Sequence, residues 1–224
     1  MLPSFPIWIT ILFALITLAT MMWFAIAMKS RGVLLGVMGW AILQTAMGLS
    51  GFYTDTFSIP PRVFAFGVLP TLIFIVGCSF TKGGRALMDG ADLHTLTWMH
   101  TIRVPVEFVL YCVVGLGLLS EYMSVHGTNF DVLSGLTAPI IAYFAFRDGT
   151  VNKRLLLIWN VLALFLLLNV VITAAFCIPS PIQKLAFDQP NIAVLHFPMN
   201  LLPTVVVPLV LFAHVIAIRR LVKS

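Results

Sequence analysis

The sequence predicts an all-α polytopic membrane protein of seven transmembrane helices, with the N-terminus outside and the C-terminus in the cytoplasm. Three observations lead to this prediction: an apolar composition, seven apolar segments and a one-sided distribution of basic residues. Of the 224 residues, 60% are hydrophobic and 9% are charged, whereas soluble domains carry about 25% charged residues. Because no stretch is polar enough for a separate soluble domain, residues 1–224 are predicted to form one transmembrane domain.

Segment length sets the number of helices, since a membrane-spanning helix requires about 20 predominantly apolar residues. Six segments meet this requirement; a seventh is shorter and contains Pro139, but polar residues bound it on both sides. In chain order the seven are 7–28, 33–53, 62–81, 97–119, 131–147, 155–177 and 197–218. The first lacks the basic start and short apolar core of a signal peptide, so we expect it to remain uncleaved.

The connection between the third and fourth segments reads TKGGRALMDGADLHTLTWMH, residues 81–100. Its glycines, Gly83, Gly84 and Gly90, predict a flexible loop, and Asp92 is a favourable N-cap for a helix that begins at the next residue. We interpret the stretch as a capped connector; the alternative is a gate over the fourth segment.

Basic residues fix the predicted orientation. Of the 13 Lys and Arg residues, Arg103 lies inside a segment and two, Arg62 and Lys184, fall on one side of the predicted topology. The other ten fall on the opposite side: Lys29, Arg31, Lys82, Arg85, Arg147, Lys153, Arg154, Arg219, Arg220 and Lys223. Cytoplasmic loops carry the excess of positive charge, so this side is predicted to be cytoplasmic.

Two pairs of segments resemble each other. The second and third read KSRGVLLGVMGW, SIPPR and GVLPTLIF; the sixth and seventh read NKRLLLIWN, CIPSPIQ and NLLPTVVV. Two interpretations are open: a 3+1+3 internal repeat in which Pro70 and Pro203 are equivalent, or the recurrence of basic residues and prolines that any polytopic chain shows. Parallel repeats occur in transporters such as the SWEET proteins, although the Pro-Gln signature of PQ-loop proteins is missing here.

The fourth segment carries a polar stripe within TWMHTIRVPVEFVLYC, residues 97–112. At 100° per residue, His100, Arg103, Glu107 and Tyr111 fall within about 80° of one another. Arg103 and Glu107 have the i, i+4 spacing of a helical ion pair. A charge at the bilayer centre costs about 2.5–3.5 kcal/mol on insertion scales, so we expect the whole stripe to face the protein interior.

Glu107 admits two interpretations. It is either a protonatable or ligand-binding group in a cavity, or one half of a static pair with Arg103 that fixes helix packing. Other polar residues are candidates to meet the stripe; Asn160 and Asn169 lie on opposite faces of one segment, so at most one is expected to do so. The predicted ligand- or proton-binding residues are Glu107, Arg103, His100, Tyr111, Asn200 and Thr204.

Several classes of site are not expected. The three cysteines have no paired spacing, and the last segment lacks the paired histidines of seven-helix metal hydrolases of the ceramidase and adiponectin-receptor type. His214, near the inner end of that segment, is expected to snorkel or to bond the backbone. On the outer side, His126, Asp131, Asp188 and His196 would form a metal site only if their loops converged, and no metal is predicted. The sequence identifies no cofactor.

Three functions remain open. The leading hypothesis is a small-molecule or proton-linked transporter with Glu107 and Arg103 at its site. The alternatives are a ligand-binding membrane sensor and an intramembrane lipid-modifying enzyme that uses Glu107 or His100 as acid or base. The expected partners are the lipid bilayer and a small-molecule ligand. Nucleic acid is not expected, because the basic residues cluster at helix ends. The expected location is the plasma (inner) membrane of a prokaryote.

Overall fold

The computed structural model describes residues 5–147 and 149–223, and within these ranges the chain is helical and contains no strand. Short 3-10 turns occur between the helices, and one of them, His100–Ile102, joins two helices directly. Two π-helical segments, Phe64–Val68 and Leu202–Val206, lead into α3 and α9. The α-helices are α1 Ile7–Met28, α2 Arg31–Leu49, α3 Leu69–Phe80, α4 Lys82–Asp89, α5 Leu93–Met99, α6 Arg103–Gly115, α7 Val132–Phe146, α8 Lys153–Cys177 and α9 Val207–Lys223.

Among the described residues, four helices have the length and composition to cross a membrane: α1, α2, α8 and the continuous helix Leu202–Lys223. A fifth span results if Phe64–Phe80 is counted together with α4, which bends away from it by 89°. α7 is apolar but shorter. The predicted helical class with several apolar spans is therefore confirmed.

The connector before α5 is ordered rather than flexible. Residues expected to form a glycine-rich loop fold as α4, whose N-cap Thr81 accepts a hydrogen bond from the Gly84 amide at 3.2 Å. A Cβ at Gly84 would overlap the backbone of Cys78, so glycine is needed there for close packing and not for mobility. The predicted cap is confirmed, since Asp92 accepts from the Thr95 amide at 3.0 Å and α5 begins at Leu93.

Two contacts hold this connector against the end of α9. The guanidinium of Arg219 pairs with Asp89, and Arg220 donates to the carbonyl of Ala91. The hydrogen bond from Arg219 is the main reason why the pKa of Asp89 lies below its ordinary value. The chain between α3 and α5 is thereby fixed to the last helix.

Proline leaves a carbonyl without a helical partner in each π-helical region, because it has no N–H to donate to the residue four positions earlier. Pro70 leaves the carbonyl of Phe66 without this partner, and the side-chain amide of Gln44 donates to that oxygen at 3.2 Å. Pro208 leaves the carbonyl of Thr204, to which the indole of Trp40 donates at 2.8 Å. Both donors lie on α2.

Trp40 and Gln44 are four residues apart on α2 and hence share one helix face. That face contacts both proline-containing helices at their freed carbonyls. The packing is close, because a Cβ at Gly67 would overlap Thr204 and one at Gly48 would overlap Asn200. α2 therefore acts as a clamp on the two helices.

The π-helical segments also bear on the predicted likeness between the second and third apolar segments and the sixth and seventh, because they show which prolines occupy matching positions. In each case the proline lies two residues after the π-helix: Pro70 after Phe64–Val68, and Pro208 after Leu202–Val206. Relative to the π-helical segments, Pro70 therefore occupies the same position as Pro208. The predicted equivalence with Pro203 is wrong, because Pro203 lies inside its π-helical segment.

The clamp makes a testable prediction for Trp40. We expect Trp40→Phe to lower the free energy of unfolding by about 1–3 kcal/mol, since a buried carbonyl loses its donor. In a Pro208→Ala background, the new backbone N–H can bond to the Thr204 carbonyl. Trp40→Phe should therefore lower the free energy of unfolding by less in this background. Denaturant unfolding of the detergent-solubilised variants measures this coupling.

Trp159→Phe is the matched control, because its indole donates to the Thr137 hydroxyl at 2.9 Å and not to a carbonyl freed by proline. Its cost should be the same in the wild-type and the Pro208→Ala background. Equal costs of Trp40→Phe in both backgrounds would contradict the clamp.

Candidate functional site

Arg103 lies at the centre of a buried network between α6, α7, α8 and α9. Its side chain is only 3% exposed. One terminal nitrogen, Nη1, lies 2.9 Å from Asp131 Oδ1 and 3.3 Å from the carbonyl oxygen of Ala163. The other, Nη2, lies 2.6 Å from His214 Nε2. The guanidinium thus connects the start of α7 with the middle of α8 and α9.

The contacts of His214 define its protonation state. An arginine can only donate, so His214 Nε2 must accept from Arg103. Nδ1 lies 2.9 Å from Asn160 Oδ1, while Asn160 Nδ2 donates to the Leu156 carbonyl at 2.8 Å. With Asn160 Oδ1 as acceptor, Nδ1 carries the proton. His214 is therefore a neutral imidazole that accepts from a cation.

His100 extends the network along the 3-10 turn between α5 and α6. Its ring stacks on that of His214, with centroids 4.1 Å apart, and lies edge-on to Trp159. Its Nδ1 atom is buried without a protein hydrogen-bond partner. Three further buried polar atoms near Arg103 also lack such a partner in the described part of the chain: Thr101 Oγ1, Arg103 Nε and Ser134 Oγ. Buried polar groups normally have partners, so this region has capacity for additional hydrogen bonds.

Glu107 lies at the edge of the network, one helical turn after Arg103. Asn129 Nδ2 donates to Glu107 Oε1 at 2.6 Å and to the Met123 carbonyl at 3.1 Å. Asn129 Oδ1 accepts from the backbone amide of Asp131 at 3.0 Å. One asparagine therefore links the Glu107 carboxyl to the N-terminus of α7.

The charges in this network do not balance. Arg103 supplies one positive charge, whereas Asp131 and Glu107 are two carboxylic acids, and His214 is neutral. If both carboxyls are ionised, the network carries a net negative charge away from water, which is energetically costly. A single proton on one carboxyl removes that charge.

The predicted pair of Arg103 with Glu107 is wrong, since in the described residues Arg103 pairs with Asp131. α7 packs against the α5–α6 helix: a Cβ at Gly135 would be 3.1 Å from Arg103 Cβ, and His94 contacts Phe146 with ring centroids 5.0 Å apart. α7 therefore begins at the level of Arg103. The chain returns inward from Gly115 and delivers Asp131 to the guanidinium.

Tyr111 does not share the buried face. His100, Arg103 and Glu107 are buried as predicted, but Tyr111 is 57% exposed and its ring lies near His126, at 6.1 Å between centroids. The predicted inward position of Tyr111 is wrong, because α7 begins two turns before it and leaves that side of α6 uncovered.

Asn200 and Thr204 form a separate contact. Both are fully buried, but Asn200 Nδ2 donates to the Gln44 carbonyl at 2.7 Å, and Thr204 Oγ1 donates to the Asn200 carbonyl at 2.8 Å. Within the described ranges, no hydrogen bond joins them to Arg103 or Glu107. They belong to the packing of α2 against the last helix.

Sequence reasoning missed His214 as a network residue. It was expected near the membrane surface, but α9 continues to Lys223, so His214 lies about 13 Å before the helix end. Of the two asparagines on α8, Asn160 faces the network. Asn169 is exposed and donates to the Thr128 carbonyl at 2.9 Å, so the expectation that at most one would face inward is confirmed.

The outer-side residues considered for a metal site do not converge, because Asp131 is held by Arg103. In the part of the chain that the structure describes, no three His, Cys, Asp or Glu side chains are placed to hold a metal ion.

The ion pair leads to a prediction for stability. Arg103→Gln should lower the free energy of unfolding by about 3–5 kcal/mol, because Asp131 is left buried without its cation. Glu107→Gln should be neutral or stabilising, since the amide oxygen can still accept from Asn129. Unfolding of the purified variants in detergent is the measurement.

The control is Arg62→Gln, which removes a pair with Asp55 at 2.5 Å that is partly exposed. Such surface pairs contribute about 0–1 kcal/mol. If Arg103→Gln costs no more than Arg62→Gln, the buried pair does not organise the helices.

Comparison with known proteins gives a family without an assigned activity. No curated protein and no solved structure shows significant similarity to the chain. Residues 60–222 match the family described as "Domain of unknown function (DUF8737)", a region that reaches from α3 into the last turn of α9 and contains every residue of the buried network. Because the match covers most of the 224 residues, the chain belongs to the DUF8737 family.

Proposed function

We propose that the protein is a proton-linked membrane carrier for a small molecule, with Glu107 as the group that gains and loses the proton. The observation that supports this proposal is the unequal number of charges in the buried network, which contains two carboxyl groups but one arginine. Ionisable residues within membrane helices commonly belong to ion pathways and proton relays.

Seven transmembrane helices are part of the proposal. Besides the candidate spans, the chain is helical without interruption from Leu93 to Gly115, about 35 Å at 1.5 Å per residue, which is long enough to cross the hydrocarbon core. α7 would be the short helix, entered through the inward return of residues 116–130. The excess of basic residues on one side favours a cytoplasmic C-terminus in a prokaryotic plasma membrane.

A proton on Glu107 would act through Asn129. The Asn129 amide donates to the Glu107 carboxyl, so the contact favours the ionised form. A protonated Glu107 has its own proton to donate, which weakens this contact. Asn129 also accepts from the Asp131 amide at the start of α7. A change in the protonation of Glu107 would thereby change the contacts at the start of α7, where Asp131 pairs with Arg103.

The proline-containing helices supply a means of movement. Alternating access in carriers often involves one structural repeat rocking against the other. The matching of Pro70 with Pro208 supports a 3+1+3 arrangement in which each repeat contains one π-helical hinge. π-Helical turns inside longer helices are frequent at functional sites.

One observation favours a second function, an intramembrane lipid-modifying enzyme. His100 Nδ1 is buried without a protein partner, and a neutral imidazole nitrogen of this kind can act as a general base. Conversion of a lipid that is lost in His100→Gln would support this alternative.

The test of transport uses proteoliposomes with a pH-sensitive dye inside and pools of amino acids, sugars and organic acids outside. Wild-type protein should acidify the lumen when a transported compound is added under an inside-negative potential. Glu107→Gln should remove this substrate-dependent proton flux by at least about tenfold, since its side chain cannot exchange a proton.

Glu121→Gln is the control, because Glu121 is exposed in a 3-10 turn and should leave the flux unchanged. Substrate uptake that moves no protons, or proton flux unaffected by Glu107→Gln, would contradict the proposal. Saturable binding without uptake is the result that a sensor would give.

A further inference from the structure

A cavity of about 650 Å³ lies between α1, α2, α3 and α9, and no residue of the buried charged network lines it. One wall is the face of α2 that carries Gly32, Gly36 and Trp40. Pockets for small organic ligands usually measure about 300–1,000 Å³. The cavity is thus large enough for a ligand and separate from the proposed proton site.

The opposite wall is apolar and rigid. Phe74 of α3 and Phe212 of α9 pack edge-to-face with ring centroids 6.1 Å apart, and Phe212 also contacts Phe24 of α1. Pro70 and Pro208 complete this wall. Aromatic and proline side chains lose little conformational freedom when a ligand binds, so the site is largely preformed.

The polar side chains that line the deeper part of the cavity already have partners. Trp40 Nε1 donates to the Thr204 carbonyl, and the Thr204 hydroxyl donates to the Asn200 carbonyl. The hydroxyl of Thr71 donates to the Val68 carbonyl at 2.6 Å. The hydrogen-bond donors of these three side chains are therefore all in use. A polar ligand would find no free donor among them, which favours a hydrocarbon ligand.

The dimensions favour an occupant thinner than a helix. From Ser30 to Trp40 the cavity follows α2 for about 15 Å, so its mean cross-section is about 43 Å². A helix of about 10 Å diameter needs about 80 Å². An extended hydrocarbon chain is the thinner object that fits this space.

One end of the cavity lies where basic residues are concentrated. Ser30 and Leu87 line this end. Lys29 and Arg31 flank Ser30, and Arg85 lies two residues before Leu87; all three basic residues are exposed. Basic residues at a membrane surface attract the headgroups of anionic lipids.

We propose that this cavity binds a hydrocarbon chain of an anionic amphiphile whose headgroup lies beside Lys29, Arg31 and Arg85. Such an amphiphile is a phospholipid or a free fatty acid, and both present an anionic head on a long chain. Glu107 does not line this cavity. A negative result for lipid binding can therefore be distinguished from a negative result for the proposed carrier function.

The glycines of α2 provide a matched test. A Cβ at Gly36 or Gly39 would have no atom within 4 Å, so both positions have space for a larger side chain, but only Gly36 lines the cavity. Gly36→Leu should fill the site, whereas Gly39→Leu should not. Gly32→Leu is a second blocking variant, because Gly32 also lines the cavity and a Cβ there meets only Ser30 Oγ, at 3.7 Å.

The probes are brominated dioleoyl phosphatidylglycerol, brominated oleate and brominated phosphatidylcholine, each titrated into the full-length protein in detergent micelles. Bromine in the cavity quenches the fluorescence of Trp40. We expect saturable quenching by an anionic probe in the wild type and in Gly39→Leu, weakened at least about tenfold in Gly36→Leu and Gly32→Leu. Whichever anionic probe binds more tightly identifies the source of the chain.

Two results would overturn the proposal. Equal saturable quenching in wild type and both blocking variants would show only non-selective contact with surrounding lipid. Equal affinity for phosphatidylcholine and for both anionic probes would show that Lys29, Arg31 and Arg85 do not select an anionic headgroup. Glu107→Gln should bind the anionic probes as the wild type does.

Discussion

The ion pair between Arg103 and Asp131 is the interaction on which the arrangement of the inner helices depends. It joins the middle of the α5–α6 helix to the first turn of α7, and the same guanidinium holds the neutral His214 of α9. A buried arginine without a carboxylate partner would be costly, so the start of α7 must reach this depth. The inward return of the chain between α6 and α7 follows from that requirement.

Once Arg103 is neutralised by Asp131, Glu107 has no cation of its own. It is held by Asn129, whose contacts extend to the backbone of Asp131. A purely structural role would be met by an uncharged side chain at lower cost, since polar uncharged residues also form hydrogen bonds between membrane helices. The proposed gain and loss of a proton by Glu107 gives a reason for a carboxyl in this position.

Local features could be predicted from the sequence, whereas contacts between distant segments could not. The cap at Asp92 and the apolar helices follow from neighbouring residues and segment length. The partner of Arg103 could not be found in this way, because the i, i+4 rule compares residues of one helix only, and the depth of Asp131 depends on the path of the preceding loop. Tyr111 was expected to be buried for the same reason, because the path of this loop could not be predicted from the sequence. His214 was misplaced because the continuation of α9 to Lys223 is not apparent from hydropathy.

Infrared difference spectroscopy across a pH titration measures whether Glu107 exchanges a proton inside the helical bundle. A protonated carboxyl group in an apolar environment has a C=O stretching band distinct from that of a carboxylate. We expect such a band in the wild type, a loss of the band as the pH rises, and its absence throughout the titration in Glu107→Gln. A Glu107→Gln spectrum identical to that of the wild type, or no protonated carboxyl band at any pH at which the protein is folded, would contradict this expectation.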